Sequence, residues 1–274
     1  MLRQGDAEPL VLRQRSASGE AGRRALLLHG LGSSESCWDA FVAHRPPDLE
    51  LWTAGLPWRA GGTFAVPERD DTAWITEAVR RVPGGVDVVI AHSYASVLLL
   101  TLLAELAAAG RDPRGELGVQ GAVLVSPFHR QRPEDFTWGE LPRFLDLLRL
   151  GAEDGITARS RKPMAADLRA EMAERSCELL GPHWVVRYLH AYLRTPFLPV
   201  HLVDLPVHVV IGDRDPIAPP AEGTDLAARL GNASIDRIDG CAHTPMAERP
   251  ELFSLAVQQF LTTLPAGRPP AAVN

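Results

Sequence analysis

The sequence predicts an α/β fold, with a mostly parallel central sheet flanked by helices and interrupted by an inserted helical cap. Short β-branched or aliphatic runs alternate with longer helical patterns over most of the 274 residues, the signature of a parallel sheet covered on both faces. From about Phe128 to Asp204 that alternation breaks, and helical patterns follow one another without a convincing strand. Eight of the chain's 17 aromatic residues fall in this stretch, as a cap over an apolar pocket would require.

The strands read most clearly at residues 25–29, 86–91, 122–125 and 207–211, with a weaker one at 233–238. Helices are expected at 36–43, 67–82, 93–109, 220–230 and 250–264. The third of these carries Val97, Leu98, Leu99, Leu100, Leu102, Leu103 and Leu106, apolar almost all round, so it belongs beside the sheet. Gly110 and Pro113 stop it. The domain organisation that follows is a core of residues 1–127 and 205–274 with a cap of residues 128–204. The tail from Ala266 to Asn274 is rich in Pro, Gly and Ala and is expected to fray.

Composition removes several classes of function. With 46% hydrophobic and 23% charged residues the chain is an ordinary globular protein. A net charge of -6 and no basic stripe argue against a nucleic-acid partner. Lys162 is the only lysine among 28 basic residues, which GC-rich codon usage explains without a functional demand for arginine. Cys37, Cys177 and Cys241 are odd in number and lack metal-ligand spacing, which suits a reducing cytoplasm and predicts neither a disulfide framework nor a metal. The N-terminal MLRQGDAEPLVLRQR lacks the apolar core of a secretory signal. The strongest apolar run, residues 97–103, is followed by Glu105 and falls well short of the ~18 residues that read as a membrane span. No membrane partner and no cofactor are expected.

Four motifs at strand ends carry chemistry. In Val88-Val89-Ile90-Ala91-His92-Ser93-Tyr94-Ala95-Ser96 a buried strand runs straight into the long helix. So tight a turn strains the backbone, lifts the Ser93 hydroxyl above the sheet and aims free N–H groups of the helix start toward it. Serine is also a favoured helix N-cap, which is the plain structural reading. Ala91 and Ala95 stand where glycine is commoner, which predicts a slightly more open elbow. The second motif, Gly212-Asp213-Arg214-Asp215-Pro216, offers two acids able to orient a histidine, although either suits an ordinary turn. The third, Gly240-Cys241-Ala242-His243, places a histidine in the loop before the last helix, where it can meet Ser93 as a base. In the fourth, His29-Gly30-Leu31-Gly32, glycines let backbone N–H groups reach the space beside the nucleophile. The N–H groups of Leu31 and Tyr94 can together hold an oxyanion.

On these four motifs the chain resembles the α/β-hydrolase family from about Leu26 to Leu264. In that family the acid usually sits three residues after the glycine, often before proline, which selects Asp215 over Asp213. The resemblance implies a triad of Ser93, Asp215 and His243 with Leu31 and Tyr94 as the oxyanion hole. Dehalogenases and epoxide hydrolases of this fold carry aspartate at the elbow, so Ser93 points to acyl transfer instead.

The expected function is hydrolysis of an ester or thioester of a medium-sized, fairly apolar small molecule through an acyl-serine. Phe128, Phe136, Trp138, Trp184 and Tyr188 are the expected substrate contacts. Two alternatives stand beside this: a non-hydrolytic lyase or cyclase using His243 as base, and a non-catalytic small-molecule binding protein.

Overall fold

A computed structural model describes residues 10–16, 22–59, 70–160 and 162–265. In chain order these form β1 Val11–Ser16, β2 Arg23–Leu28, α1 Asp39–His44, β3 Leu49–Gly55, α2 Thr72–Arg81, β4 Val88–His92, α3 Tyr94–Ala108, α4 Pro113–Leu117 and β5 Gly121–Val125. There follow α5 Glu140–Arg159, α6 Ala166–Leu180, α7 Pro182–Arg194, β6 Val207–Gly212, α8 Pro220–Arg229, β7 Ala233–Ile238, α9 Pro245–Glu248 and α10 Pro250–Thr263. The predicted tail at 266–274 and the start of the predicted helix at 67–69 lie outside the described residues.

The strands make one sheet in the order β1-β3-β2-β4-β5-β6-β7. Only the β1–β3 pair is antiparallel. Two strands escaped the sequence reading for one physical reason. β1 carries Arg13 and Arg15 at an edge, and β3 carries Glu50, so neither shows an apolar run. Glu50 is tolerated because Arg24 of β2 grips both of its oxygens, at 2.9 and 3.0 Å, while Trp52 Nε1 and Gln14 also donate to it. The predicted helix at 36–43 is a 3₁₀ turn, Glu35–Trp38, leading into α1.

Strand order explains where a site can form. The chain moves from β2 outward to β3, then crosses back to β4 beside β2 and proceeds to β7 on the other side. Connections after β2 and β4 therefore leave for opposite faces, opening a crevice at the carboxyl ends of those two strands. One face is covered by α1 and α10, where Trp38, Phe41 and Phe253 pack together. The other holds α2, α3 and α8, with α3 buried on nearly every side as its sequence predicts. Between β5 and β6 the described chain contains helices and short turns only, and these form the helical insertion.

Candidate active site

Ser93 sits at the β4–α3 junction with φ 53° and ψ −117°, a conformation rarely adopted by residues other than glycine. Its N–H crosses to the carbonyl of Val125 at the end of β5, at 2.8 Å, and its own carbonyl already accepts from Ser96 and Val97 of α3. The side chain is thus lifted off the sheet above α3. The neighbouring loop presses against it: a Cβ on Gly30 would lie 3.0 Å from the Ser93 Cβ, so only glycine lets the two loops approach this closely.

His243 brings the other two chemical groups together. Its Nδ1 lies 2.8 Å from Asp215 Oδ2 and its Nε2 lies 2.9 Å from Ser93 Oγ. A carboxylate accepts, so Nδ1 carries the proton and Nε2 is left to accept from the serine hydroxyl. Asp215 is held by the N–H groups of Ile217 and Ala218, both 2.9 Å from Oδ1. Burial works to raise the Asp215 pKa, but the charge and hydrogen bond of His243 and these two N–H groups outweigh it and hold the carboxyl below its ordinary range. For His243 burial works downward, and the charge and hydrogen bond of Asp215, with Asp154 and Glu248, carry its pKa above the ordinary histidine value.

Asp213 has a different task. Its Oδ1 accepts from Gly240 N at 2.7 Å, and Arg214 N donates to Cys241 O, so the acid turn and the base loop are laced together. They are so close that a Cβ on Gly212 would lie 2.0 Å from the Ala242 carbonyl.

Glu248, one turn into α9, accepts from the N–H groups of Ala242 and Thr244 at 2.9 and 3.0 Å, clamping the main chain on both sides of His243. Sequence reasoning missed it. Its only signal is a carboxylate five residues beyond the histidine, within reach of a loop with two free N–H groups.

The loop after β2 is oriented as tightly. Leu56 N–H donates to His29 Nε2, so the proton of this buried ring is on Nδ1, which donates to the Gly30 carbonyl at 2.9 Å. In a trans peptide the N–H of the next residue points the other way, which turns Leu31 N–H away from that contact. Trp58 pins both sides of the loop, donating from Nε1 to His29 O and accepting from Gly32 N. Tyr94 N–H is the first of α3 and has no intrahelical acceptor. Its side chain turns elsewhere: the hydroxyl donates to Asp71 at 2.7 Å, and Asp71 also pairs with Arg187 of α7, tying the insertion to the Ser93 turn.

Ser93, His243 and Leu31 open onto a cavity of about 310 Å³. Its far wall is aliphatic, with Leu145, Leu148, Ile156, Leu180, Val185 and Ile217, and α5 presents Gly151, Ala152 and Gly155 to it. Of the five aromatic residues expected to contact substrate, only Tyr188 lines this space. Phe128 is buried against Tyr188 and Tyr192, Phe136 packs on Tyr192, and Trp184 meets Trp58. Trp138 is 90% exposed. The insertion uses Phe128, Phe136 and Trp184 to build its own core and to seat it on the sheet domain, and none of the three lines the cavity.

A buried serine, histidine and aspartate in one hydrogen-bonded line at the carboxyl ends of a parallel sheet define a hydrolase-type α/β protein. The chain belongs to the alpha/beta hydrolase family, whose family model matches residues 25–256. Among curated proteins it is similar to a pimeloyl-(acyl-carrier protein) methyl ester esterase of Aromatoleum aromaticum, 28% identical with 86% of this chain and 97% of the relative covered. A protein of the same name from Neisseria meningitidis is 23% identical, with 91% of this chain and 97% of the relative covered. Among solved structures a hydrolase from Oleispira antarctica superposes with a TM-score of 0.64 at 13% identity, covering 92% of this chain and 94% of that one, a likeness of fold.

The approach of Gly212 to Ala242 yields the first prediction. Gly212→Ala is expected to cost about 3 kcal/mol, the upper end of the overpacking range, in a urea titration. A loss below about 1 kcal/mol would mean that the two turns are not in such contact.

Proposed function

We propose that this enzyme hydrolyses a carboxylic ester with a medium-sized, fairly apolar acyl part, through an acyl-enzyme on Ser93. The observation that carries this reading is the unbroken line Asp215–His243–Ser93 opening onto an aliphatic cavity.

In this mechanism His243 Nε2 takes the Ser93 proton as Oγ bonds to the ester carbonyl carbon, and the carbonyl π electrons move to oxygen. The N–H groups of Leu31 and Tyr94 receive that oxyanion. Collapse expels the alcohol oxygen, which takes the proton from His243. Water then attacks the acyl-serine with His243 again as base, and the acid leaves. Asp215 stays ionised throughout and stabilises the imidazolium.

Residues 128–204 act as a cap on the core of residues 1–127 and 205–274. Gly151 and Gly155 each cost α5 about 1 kcal/mol against alanine; Gly151 lets Ile217 pack close and Gly155 leaves open room beside the cavity, which supports an acyl-binding role for this helix. The curated relatives are named for a methyl ester borne on an acyl-carrier protein. A carrier-borne substrate is the second reading here, favoured by exposed Arg159 among the cavity-lining residues, where an anionic carrier would meet its guanidinium; Arg149 beside the cavity is already paired with Glu153 at 2.7 Å. The three cysteines are free, which suits action in the cytoplasm. No helix among the described residues is long and apolar enough to cross a membrane.

Turnover of paired oxygen esters and thioesters of graded acyl length, including a carrier-linked methyl ester, tests the reading. Wild type should hydrolyse oxygen esters, and Ser93→Ala should lose nearly all activity, by about 10⁴-fold or more. A Ser93→Ala variant that keeps its native activity while His243→Ala does not would instead favour the lyase or cyclase alternative.

The pH profile provides a second check. Only neutral His243 can accept the serine proton, and its pKa is raised, so kcat/KM should fall as pH drops through a value above 6.5. Asp215→Asn should move that limb to lower pH and cut kcat by about 10⁴-fold. An acid limb unmoved by Asp215→Asn would show that another group sets it.

A further inference from the structure

His92 is the last residue of β4, buried immediately before Ser93, and the mechanism above gives it no step. Its Nε2 lies 2.9 Å from the main-chain carbonyl of His243. A carbonyl only accepts, so the proton sits on Nε2. Burial, and after it the charge of His243, push the His92 pKa down to about 3, so the ring stays neutral and Nδ1 is a bare lone pair. That nitrogen is buried and has no hydrogen-bond partner among the described residues, an arrangement costly enough to call for a reason.

The reason lies in what Nδ1 faces. A Cβ on Gly30 would stand 3.0 Å from it, so the main chain of the loop after β2 packs against this edge of the ring at a spacing that glycine allows. One edge of the imidazole thus holds the base loop and the other supports the loop that carries Leu31. The residue itself is joined to Ser93. Its ring centre lies 5.0 Å from that of His243, close enough that moving one ring moves the other.

We propose that His92 is the positioning residue that registers the base loop and the oxyanion loop against the nucleophile, one imidazole setting both spacings from Ser93. The proposal rests on the hydrolytic reading of the site. It differs from a space-filling role, which an aromatic ring of similar size would serve equally well.

The test compares wild type, His92→Phe and His92→Gln, with thermal denaturation to establish that each is folded. The readouts are the rate of Ser93 labelling by a fluorophosphonate, and kcat and KM on the best ester. Phe keeps the bulk and loses the donor, so labelling and kcat should fall about 10²-fold, the scale of a small misplacement of reacting groups. KM should stay within about threefold, because His92 meets the cavity only at its Ser93 end and the aliphatic wall on α5 and α6 is unchanged. Gln places an N–H at similar reach and should restore at least about tenfold of that loss.

A folded His92→Phe within about threefold of wild type in kcat overturns the proposal, as does a folded His92→Gln no faster than His92→Phe. If Phe does not fold, His92→Asn replaces it. Its amide is too short to reach the His243 carbonyl, and wild-type kcat in that variant overturns the proposal equally. Wild type that neither labels nor turns over any ester brings down the hydrolytic reading and this inference together. A labelled wild type with an indifferent His92→Phe brings down this inference alone.

Discussion

Ser93 is held with positive φ at the end of a central strand, and the rest of the site is arranged around that strained residue. Such a conformation costs about 1–3 kcal/mol and persists only where its surroundings over-determine it. Here the surroundings are β4, buried between β2 and β5, and α3, apolar on nearly all sides. The Ser93 N–H is spent on Val125 O, the last residue of the next strand. Ser126 repeats the device one strand over, with φ 48° and its N–H on Val210 O. Two successive strands therefore end in the same strained turn, and the crevice between β2 and β4 opens beside the first of them.

The second demand is electrostatic. Burying the His243 imidazole opposes its protonation, and Asp215 offsets this because its own charge is held by two N–H groups and stays close at hand. The remaining contacts keep these groups in place. Asp213 laces the acid turn to the base loop, Glu248 clamps the main chain beside His243, and His29 and Trp58 orient the loop bearing Leu31. Arg187 and Asp71 extend that support to α7, so the insertion over the cavity is fastened to Tyr94, the residue that follows Ser93.

What the sequence revealed and what it hid divide along physical lines. The hydrogen-bonded cluster of Ser93, His243 and Asp215 was legible because its members fall at the ends of apolar strands in motifs dense with small residues. The choice between Asp213 and Asp215 needed either family resemblance or geometry, since both suit the turn. β1 and β3 were hidden because paired charges, Arg24 with Glu50 above all, can be buried in a sheet without leaving an apolar run. The cavity wall was hidden for a different reason. Aromatic enrichment marks an insertion that needs a core as readily as one that binds substrate, and Phe128, Phe136 and Trp184 went to packing. The open space beside α5 depends on Gly155, and the close approach of Ile217 on Gly151, both of which in sequence read only as weak points in a helix. His92 was visible in the elbow motif, but its contacts join loops about 60 and 150 residues away, which no local pattern encodes.

The central claim is that Ser93 forms a covalent acyl intermediate. The most direct measurement is rapid quenching of the enzyme with a slowly deacylating activated ester, followed by intact mass and peptide mapping. One acyl group per chain on the peptide containing Ser93, formed faster than steady-state turnover, is the expected result. Turnover of the same ester with no adduct at any time, while a chemically acylated control survives the quench, would contradict it.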